Sequence, residues 1–332
     1  MLKFPRRWIV SLHVLLMMMM TVSLVGCGDG RAGDADDGRL NIVATTGMIA
    51  DMVRNVVGEH AQVTGLMDEG VDPHLYRPTR SDVLRLDRAN VVVYNGLLLE
   101  GQMGETLGRL QSADKHVIAV AERLDPALLM EDDEDPDEAD PHVWMDVRLW
   151  STVVEQFTEQ MAEISPEHAE TYRENAERYL AELAELDSYV REVIASIPEE
   201  HRVLVTAHDA FNYFGRSYDI EVRGVYGIST ESEAGMHDIN RLVDFVVERE
   251  LPAVFAESSV TDRPVQAVIR GAHSRRHNLR LGGELFSDAM GRAGTYEGTY
   301  IGMIDHNATT IARALGGDAP ERGMQGRLGE RP

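Results

Sequence analysis

The sequence predicts an α/β fold in which two doubly wound parallel-sheet lobes are joined by one long backbone helix. Three observations predict this fold. Short apolar runs alternate with segments of helical spacing over residues 40–120, strand signals are absent from residues 147–197, and the alternation resumes after Pro198. Alternating strand and helix signals are typical of parallel sheets that carry helices on their faces.

The N-terminal half contains four apolar runs of strand length, separated by segments with helical periodicity. The predicted strands are residues 40–46, 61–67, 90–94 and 116–120, and the predicted helices are residues 48–57, 81–89 and 100–110. Gly47 and Gly58 separate the first of these segments from its neighbours. We expect this half to form an N-terminal lobe over residues 40–146.

Residues 166–197 carry a long helical signal. Ser165 stands before a proline at the first helical position, and Glu167 places an acid in the first turn, which is a favourable helix start. At ~1.5 Å per residue such a helix would be on the order of 45 Å long, enough to run across both lobes. A coiled-coil partner helix is the alternative, but the irregular three- and four-residue steps favour packing along a globular protein.

The C-terminal half repeats the strand–helix alternation. Its predicted strands are residues 203–206, 221–226, 253–256 and 279–286, and its predicted helices are residues 239–250, 265–271 and 300–315. The predicted organisation is therefore a helical linker at 147–198, a C-terminal lobe at 199–315 and a tail at 316–332. The tail is rich in Gly, Arg and Pro without periodicity, which predicts disorder.

The first residues predict export. Lys3 and two arginines precede an apolar stretch at 8–25, and the stretch ends in Leu-Val-Gly-Cys at Cys27. This pattern is typical of a lipoprotein signal peptide at 1–26, with lipidation of Cys27 and a flexible tether at 27–39. An uncleaved transmembrane anchor is the alternative, which the short apolar run and the missing basic stop-transfer cluster disfavour. We expect a lipid-anchored protein facing the periplasm or the cell exterior.

Cysteine count and charge exclude several classes of protein and site. Cys27 is the only cysteine in 332 residues, so a disulfide framework and a thiolate metal site are excluded. Any metal must be held by nitrogen and oxygen atoms. The net charge of −24 argues against nucleic acid or an anionic surface as a partner.

The tripeptide Asp-Pro-His occurs twice, ending at His74 and His142. Proline restricts its own backbone and that of the residue before it, so the histidine that follows has few orientations. Two imidazoles fixed in separate loops suit a metal site. The alternative is that Asp-Pro marks an ordinary turn and that the histidines are surface residues. The acidic run at 131–140 either concentrates cations or is a solvated loop.

Further ligand-type residues follow predicted strands. His208 comes directly after the strand at 203–206, Glu257 after the strand at 253–256 and Asp288 after the strand at 279–286. In open parallel sheets, ligands bind beyond the carboxyl ends of the strands. Three neutral imidazoles and one carboxylate suit Zn²⁺, and also Mn²⁺ or Fe²⁺ with a bidentate carboxylate.

Each of these residues has a plainer interpretation. His208 is placed to cap the helix that follows, Asp288 to form an ordinary turn, and Glu257 to be a solvated acid rather than an acceptor for a ligand histidine. If the imidazoles do bind a metal, binding should weaken below about pH 6 as they become protonated.

Five motifs together are characteristic of one family. They are DPHLY from Asp72, DPHVWMD from Asp140, TAHDAF from Thr206, GISTESE from Gly227 and LFSD from Leu285. With these motifs, the chain resembles bacterial solute-binding protein family 9, the metal-binding lipoproteins of zinc, manganese and iron ABC importers. The resemblance extends from Leu40 to about Leu315 and includes the lipoprotein signal.

The resemblance implies a site and a set of partners. It implies that His74, His142, His208 and Asp288 bind one metal ion in the cleft between the lobes, and that the long helix permits only small, stiff domain motions. It further implies a monomeric receptor that works with permease and ATPase subunits. Some family members have glutamate where this chain has His208, and zinc-dedicated members often have a histidine-rich loop that residues 131–140 lack. The expected cargo is therefore Mn²⁺ or Zn²⁺, with Fe²⁺ as a third candidate.

Two functions fit the residues. One is a receptor without enzymatic activity, which captures a divalent metal and delivers it to a permease. The other is an extracytoplasmic zinc-dependent hydrolase, in which three residues hold the metal and water occupies a fourth position. In the hydrolase, Asp288 or Glu257 would have to act as a base rather than as a ligand or a ligand's partner.

Overall fold

The computed structural model describes residues 38–113, 115–132, 138–232 and 235–330. The predicted signal peptide at 1–26, Cys27 and the tether up to residue 37 lie outside the described residues. The centre of the acidic run, at 133–137, and Glu233 at the end of the fourth motif lie outside them as well.

Four parallel strands form the sheet of the N-terminal lobe. They are β1 (Leu40–Ala44), β2 (Ala61–Gly65), β3 (Val91–Tyr94) and β4 (His116–Ala119), and their spatial order is β2-β1-β3-β4. The helices of this lobe are α1 (Gly47–Val57), α2 (Arg80–Arg88) and α3 (Gly104–Gln111). All four predicted strands are therefore present, and each pairs in parallel.

The valine-rich strands are buried on both faces. In β3, Val91 and Val93 belong to the central core, whereas Val92 between them belongs to an outer cluster. In β5 (Val203–Thr206) of the C-terminal lobe, Leu204 belongs to the central core and Val205 to a second outer cluster. Strands covered by helices on both faces have no polar side, so their sequences are continuous apolar runs.

Two long helices connect the lobes. The first is α4 (Val147–Ile164), and the second is α5 (Ala169–Ala195), which has 27 residues and is therefore about 40 Å long. The predicted helix start at Ser165 and Pro166 is a separate 3-10 turn, Pro166–His168. Ser165 donates its hydroxyl to the side chain of Glu167 at 2.8 Å instead of capping the helix.

Helix α5 packs against both lobes, as the irregular apolar spacing predicted. Its Asn175 side chain donates to the carbonyl of Val56 in α1 at 3.0 Å. Further along, the hydroxyl of Tyr189 lies 2.7 Å from that of Thr309, in α9 (Tyr300–Ala314) of the C-terminal lobe. The apolar stripe of α5 belongs to the central core, so a coiled-coil partner is not required to cover it.

The C-terminal lobe contains two parallel strand pairs. Strand β5 pairs with β6 (Glu221–Gly224), β7 (Ala253–Glu257) pairs with β8 (Arg280–Leu285), and β5 contacts β7. The other helices of this lobe are α6 (Asn212–Tyr218), α7 (Met236–Glu248) and α8 (Arg263–Ser274). The strands lie where the sequence predicted them, but they pair as two ladders rather than as one continuous sheet.

The described part of the C-terminal tail corrects the prediction of disorder. Residues 316–330 lie against α9, with Ala319 buried. The backbone amide of Met324 donates to both carboxylate oxygens of the buried Asp305, each at 3.0 Å. The composition of the tail predicted disorder because it lacks periodicity. A carboxylate in α9 that needs donors, together with a few apolar side chains, is sufficient to order the segment without regular secondary structure.

Across the described ranges, no helix combines the length and the apolar character needed to cross a membrane.

Candidate metal centre

Each of the four predicted ligands follows the carboxyl end of a strand. His74 lies in the segment after β2, His142 in the segment between β4 and α4, His208 two residues after β5, and Asp288 three residues after β8. Two of these residues come from each lobe. The fold therefore delivers all four side chains to the edge at which ligands bind in parallel sheets.

The structure brings these four side chains together. One nitrogen or oxygen atom from each residue lies within 4.8 Å of the corresponding atoms of the others, and all four residues are buried. Asp288 stands between two histidines, with Oδ1 3.3 Å from Nε2 of His142 and Oδ2 3.2 Å from Nε2 of His208. Nε2 of His74 lies 3.4 Å from that of His142 and 3.9 Å from Oδ2 of Asp288.

Three atoms at the centre of this group lack hydrogen bonds. Both carboxylate oxygens of Asp288 and Nε2 of His208 are buried, and none makes a hydrogen bond within the described chain. Buried polar atoms are nearly always hydrogen-bonded, because leaving one unpaired costs about 1–3 kcal/mol. Nitrogen and oxygen atoms that converge in a buried centre without hydrogen bonds suit a divalent transition metal.

Two of the imidazoles are oriented by a carboxylate. Asp140 Oδ1 accepts from the backbone amide of His142 at 2.9 Å and lies 2.7 Å from its Nδ1. Glu257 contacts the same two nitrogens of His208 with separate oxygens: Oε1 accepts from the backbone amide at 2.7 Å, and Oε2 forms an ion pair with Nδ1 at 2.5 Å. A carboxylate at Nδ1 fixes the proton there and directs the lone pair of Nε2 toward the centre.

The third histidine is held differently. The backbone amide of His74 donates to Asp72 Oδ1 at 2.9 Å, and within the described residues no carboxylate forms an ion pair with its Nδ1. The second oxygen of Asp72 accepts from the hydroxyl of Thr230 at 2.7 Å. Thr230 lies in the segment between β6 and α7, so this hydrogen bond joins the two lobes.

The sequence left the role of Glu257 open and did not identify Asp140 or Thr230. Asp140 is itself anchored, because Tyr213 donates its hydroxyl to the Asp140 carbonyl at 2.8 Å and Asn212 donates to Oδ2 at 3.2 Å. One available signal is that an aspartate commonly accepts from the backbone amide two residues later. The Thr230 contact has no comparable signal, because a separation of 158 residues is not readable from one sequence.

Carboxylates raise the basicity of two of the histidines. Burial lowers the pKa of His142, but the charges of Asp140 and Asp288 outweigh it and raise the pKa to about 9. Burial also lowers the pKa of His208, but the charges of Glu257 and Asp288 outweigh it and raise the pKa well above the ordinary imidazole value. The carboxylates therefore favour the protonated form of both imidazoles in the metal-free centre.

The remaining two groups have opposite shifts. Burial raises the pKa of Asp288, but the neighbouring His208 and His142 outweigh it and hold the pKa well below the usual carboxylate range. Burial lowers the pKa of His74 to about 3. The surroundings thus favour an ionised Asp288 and a neutral His74 in the metal-free centre.

His74 also lies at the edge of a cavity. This cavity has a volume of about 320 Å³ and is lined from both lobes by Leu97, Leu98, Pro141 and Ile228 among others.

The turn that carries two of these leucines has an unusual backbone. Gly96, Leu97 and Leu98 have φ values of 84°, 51° and 62°, a left-handed backbone that is costly for leucine. The buried carboxylate of Glu100 supports this turn by accepting from the backbone amides of Asn95 and Gly96 at 2.8 and 3.2 Å.

The chain matches a known family over most of its length. The model of the family described as "Zinc-uptake complex component A periplasmic" matches residues 42–314. This range contains both Asp-Pro-His motifs, His208, Glu257 and Asp288.

Individual relatives span nearly the same region. The manganese-binding lipoprotein MntA of Bacillus subtilis is 45% identical over 299 residues, covering 90% of this chain and 97% of MntA. The zinc-binding protein TroA of Treponema pallidum is 46% identical over 286 residues, covering 86% of this chain and 92% of TroA.

Solved structures match the fold. The structure of TroA from Treponema pallidum has a TM-score of 0.81 and covers 84% of this chain and 99% of its own. The structure of Fe(III)-bound YtgA from Chlamydia trachomatis has a TM-score of 0.76 at 26% identity, covering 85% of this chain and all of its own.

Proposed function

Because this chain belongs to the zinc-uptake component A family of metal-binding proteins, we propose that it holds its cargo with His74, His142, His208 and Asp288. The chain is the substrate-binding component of an ABC importer that captures a divalent transition metal outside the cytoplasmic membrane and delivers it to the permease. The observation that best supports these four ligands is the convergence of the unpaired Asp288 oxygens and His208 Nε2 in a buried centre.

The same geometry gives no support to a zinc hydrolase. A hydrolase needs three metal ligands, an open position for water and a free base. Asp288 stands between His142 and His208, and Glu257 is occupied by both the backbone amide and Nδ1 of His208. Members of the family are transporter components, and we infer that this chain likewise has no catalytic activity.

The cargo is Mn²⁺ or Zn²⁺, with Fe²⁺ as a third candidate. MntA is named for manganese and TroA for zinc, and the YtgA structure contains Fe(III). Three imidazoles with one carboxylate suit all of these borderline or harder ions. Divalent affinities follow the Irving–Williams order, so Zn²⁺ should bind more tightly than Mn²⁺ in vitro whichever metal the cell supplies.

The surroundings of the receptor follow from its role. A substrate-binding component acts with a permease and an ATPase. We infer that the mature protein is anchored through lipidated Cys27, faces the periplasm or the cell exterior and is monomeric. MntA, whose match covers 90% of this chain, is named as a lipoprotein, and this name supports the lipid anchor.

The proposed function predicts stoichiometric binding without turnover. The purified chain should bind one Mn²⁺ or Zn²⁺ per molecule in a calorimetric titration, and His74→Ala should weaken that binding. Elemental analysis of protein taken natively from its own membrane identifies the physiological metal. Metal-dependent hydrolysis of esters, amides or phosphates that disappears in His74→Ala would overturn the proposal in favour of the hydrolase.

Metal affinity should rise with pH through the neutral range. The pKa of His142 in the metal-free centre is about 9, so below that pH a proton must leave before Nε2 can bind a metal. For each proton displaced, affinity should fall about tenfold per pH unit below the pKa. Titrations from pH 6 to pH 9, in buffers that differ in ionisation enthalpy, measure both the affinity and the number of protons released.

The matched variant for this prediction is Asp140→Asn. It removes a charge that raises the pKa of His142, so the pH dependence should shift to lower pH. A constant affinity of the unaltered protein between pH 7 and pH 9, with no proton released, would contradict the prediction.

A further inference from the structure

The two Asp-Pro-His motifs are identical in sequence but differ in their hydrogen bonds. In the second motif, Asp140 Oδ1 contacts both the backbone nitrogen and Nδ1 of His142, at 2.9 and 2.7 Å. In the first motif, Asp72 Oδ1 accepts only from the backbone amide of His74, at 2.9 Å. No carboxylate of the described chain forms an ion pair with Nδ1 of His74. The position of His74 therefore depends more on its backbone than that of His142 does.

The aspartate of the first motif is in turn held from the other lobe. Asp72 Oδ2 accepts from the hydroxyl of Thr230 at 2.7 Å. The corresponding oxygen of Asp140 accepts from Asn212 at 3.2 Å, and the Asp140 carbonyl is also bonded to Tyr213. Asp140 thus has a second anchor in the C-terminal lobe, whereas Thr230 is the one cross-lobe donor to Asp72 that the described residues provide.

We infer that Thr230 is a positioning residue for metal retention: when the lobes are together, its hydroxyl fixes Asp72, and Asp72 fixes the backbone that carries His74. This inference rests on the proposed function. His74 lines a cavity between the lobes, so a loosened His74 would weaken the hold on the metal ion from that side. The hydroxyl is therefore expected to act on the rate of metal release more than on the rate of capture.

The test is metal release from Thr230→Val, which keeps the shape of the side chain and removes the hydroxyl. Release of bound Zn²⁺ into excess chromophoric chelator, followed by stopped flow, should be on the order of tenfold faster, within the range for residues that orient metal ligands. The association rate constant should stay unchanged, and the melting temperature of the metal-free protein should fall by only a few degrees, as expected for the loss of one half-buried hydrogen bond. Thr230→Ser, which restores the hydroxyl, should restore slow release.

Another hydrogen bond between the lobes provides the matched control, because its two residues line the same cavity as His74 but are not hydrogen-bonded to any of the four proposed ligands. Gln102 donates to Glu231, the residue next to Thr230, at 2.6 Å on the exposed surface. Gln102→Met removes that bond with a side chain of similar length, and exposed polar contacts of this kind contribute little. Release should therefore stay at the rate of the unaltered protein. Equal acceleration in Gln102→Met and Thr230→Val would show general tethering of the lobes and overturn the inference.

Combining substitutions tests whether Thr230 acts on metal release through His74. In the His74→Ala background, Thr230→Val should have no additional effect on release, because the side chain that it positions is gone. An equal acceleration in both backgrounds would overturn the inference. An unaltered protein that binds no metal would instead refute the proposed function. Metal binding with an unchanged release rate in Thr230→Val would refute only the role of Thr230.

Discussion

Replacing Asp288 with asparagine should lower the affinity for both Mn²⁺ and Zn²⁺ by on the order of 100- to 1,000-fold. The binding free energy of a four-ligand Zn²⁺ site in a protein is about 10–16 kcal/mol. One ligand therefore contributes roughly 3 kcal/mol, and a loss of that size lowers the affinity by about this factor. The loss should be of similar size for the two metals, because asparagine keeps the shape of the side chain and removes the charge that both ions need. Competition titrations against a chelator of known affinity measure it.

The control for this variant is Asp219→Asn. Asp219 is also an aspartate of the C-terminal lobe, but its side chain is 98% exposed and pairs only with Arg202 at the surface, so metal affinity should not change. Because Asp288 is the counter-ion of His142 and His208, its replacement should also lower the melting temperature of the metal-free protein. Titrations therefore need a temperature well below that transition. Unchanged affinity in a folded Asp288→Asn protein would remove Asp288 from the metal site.

His208→Glu should lose affinity for both metals, on the order of 100-fold, instead of simply becoming selective for Mn²⁺. In the present structure Glu257 Oε2 lies 2.5 Å from Nδ1 of His208, and both side chains are buried. A glutamate in place of His208 would bring two carboxylates together, and leaving a buried charge without its partner costs about 3–5 kcal/mol.

Adding Glu257→Gln to His208→Glu should recover part of the lost affinity and reveal the change in preference. The double variant has two imidazoles and two carboxylates around the ion, a harder set of ligands that favours Mn²⁺ relative to Zn²⁺. Glu257→Gln alone is the control, and its affinity should fall by roughly 10- to 100-fold without a change in preference. The prediction fails if the ratio of the Mn²⁺ and Zn²⁺ affinities is the same in the double variant as in the unaltered protein.

Much of the candidate site could be predicted from the sequence because it depends on local rules. The stiff Asp-Pro step marked His74 and His142, and the strand-end rule marked His208 and Asp288. The partners of those residues could not be predicted in the same way. Glu257 at the end of a strand has the same local sequence whether it is solvated or bonded to a histidine 49 residues away.

The pH range of binding was also out of reach of the sequence. Free imidazole chemistry predicts weakening below about pH 6, but the carboxylates beside His142 and His208 raise the pKa of both groups. The weakening should therefore begin at higher pH. Only the folded chain shows which carboxylates lie beside which ring.

The fold was predictable to a similar extent. A continuous run of three valines identified β3, because a strand with two covered faces has no polar positions. Composition alone predicted disorder for residues 316–330 and gave no sign that the backbone of Met324 is bonded to the buried Asp305. The division of the C-terminal strands into two ladders depends on contacts between distant segments, which a periodic pattern does not contain.

Helix α5 is hydrogen-bonded to α1 through Asn175 and to α9 through Tyr189. These two residues lie about 21 Å apart along the same helix. A wide rotation of one lobe against the other would break both of these half-buried hydrogen bonds. Loaded and empty receptors should consequently have nearly the same outline. The transporter would then have to distinguish the metal-bound receptor by the residues at the edge of the cleft, because the overall shape of the receptor would hardly change.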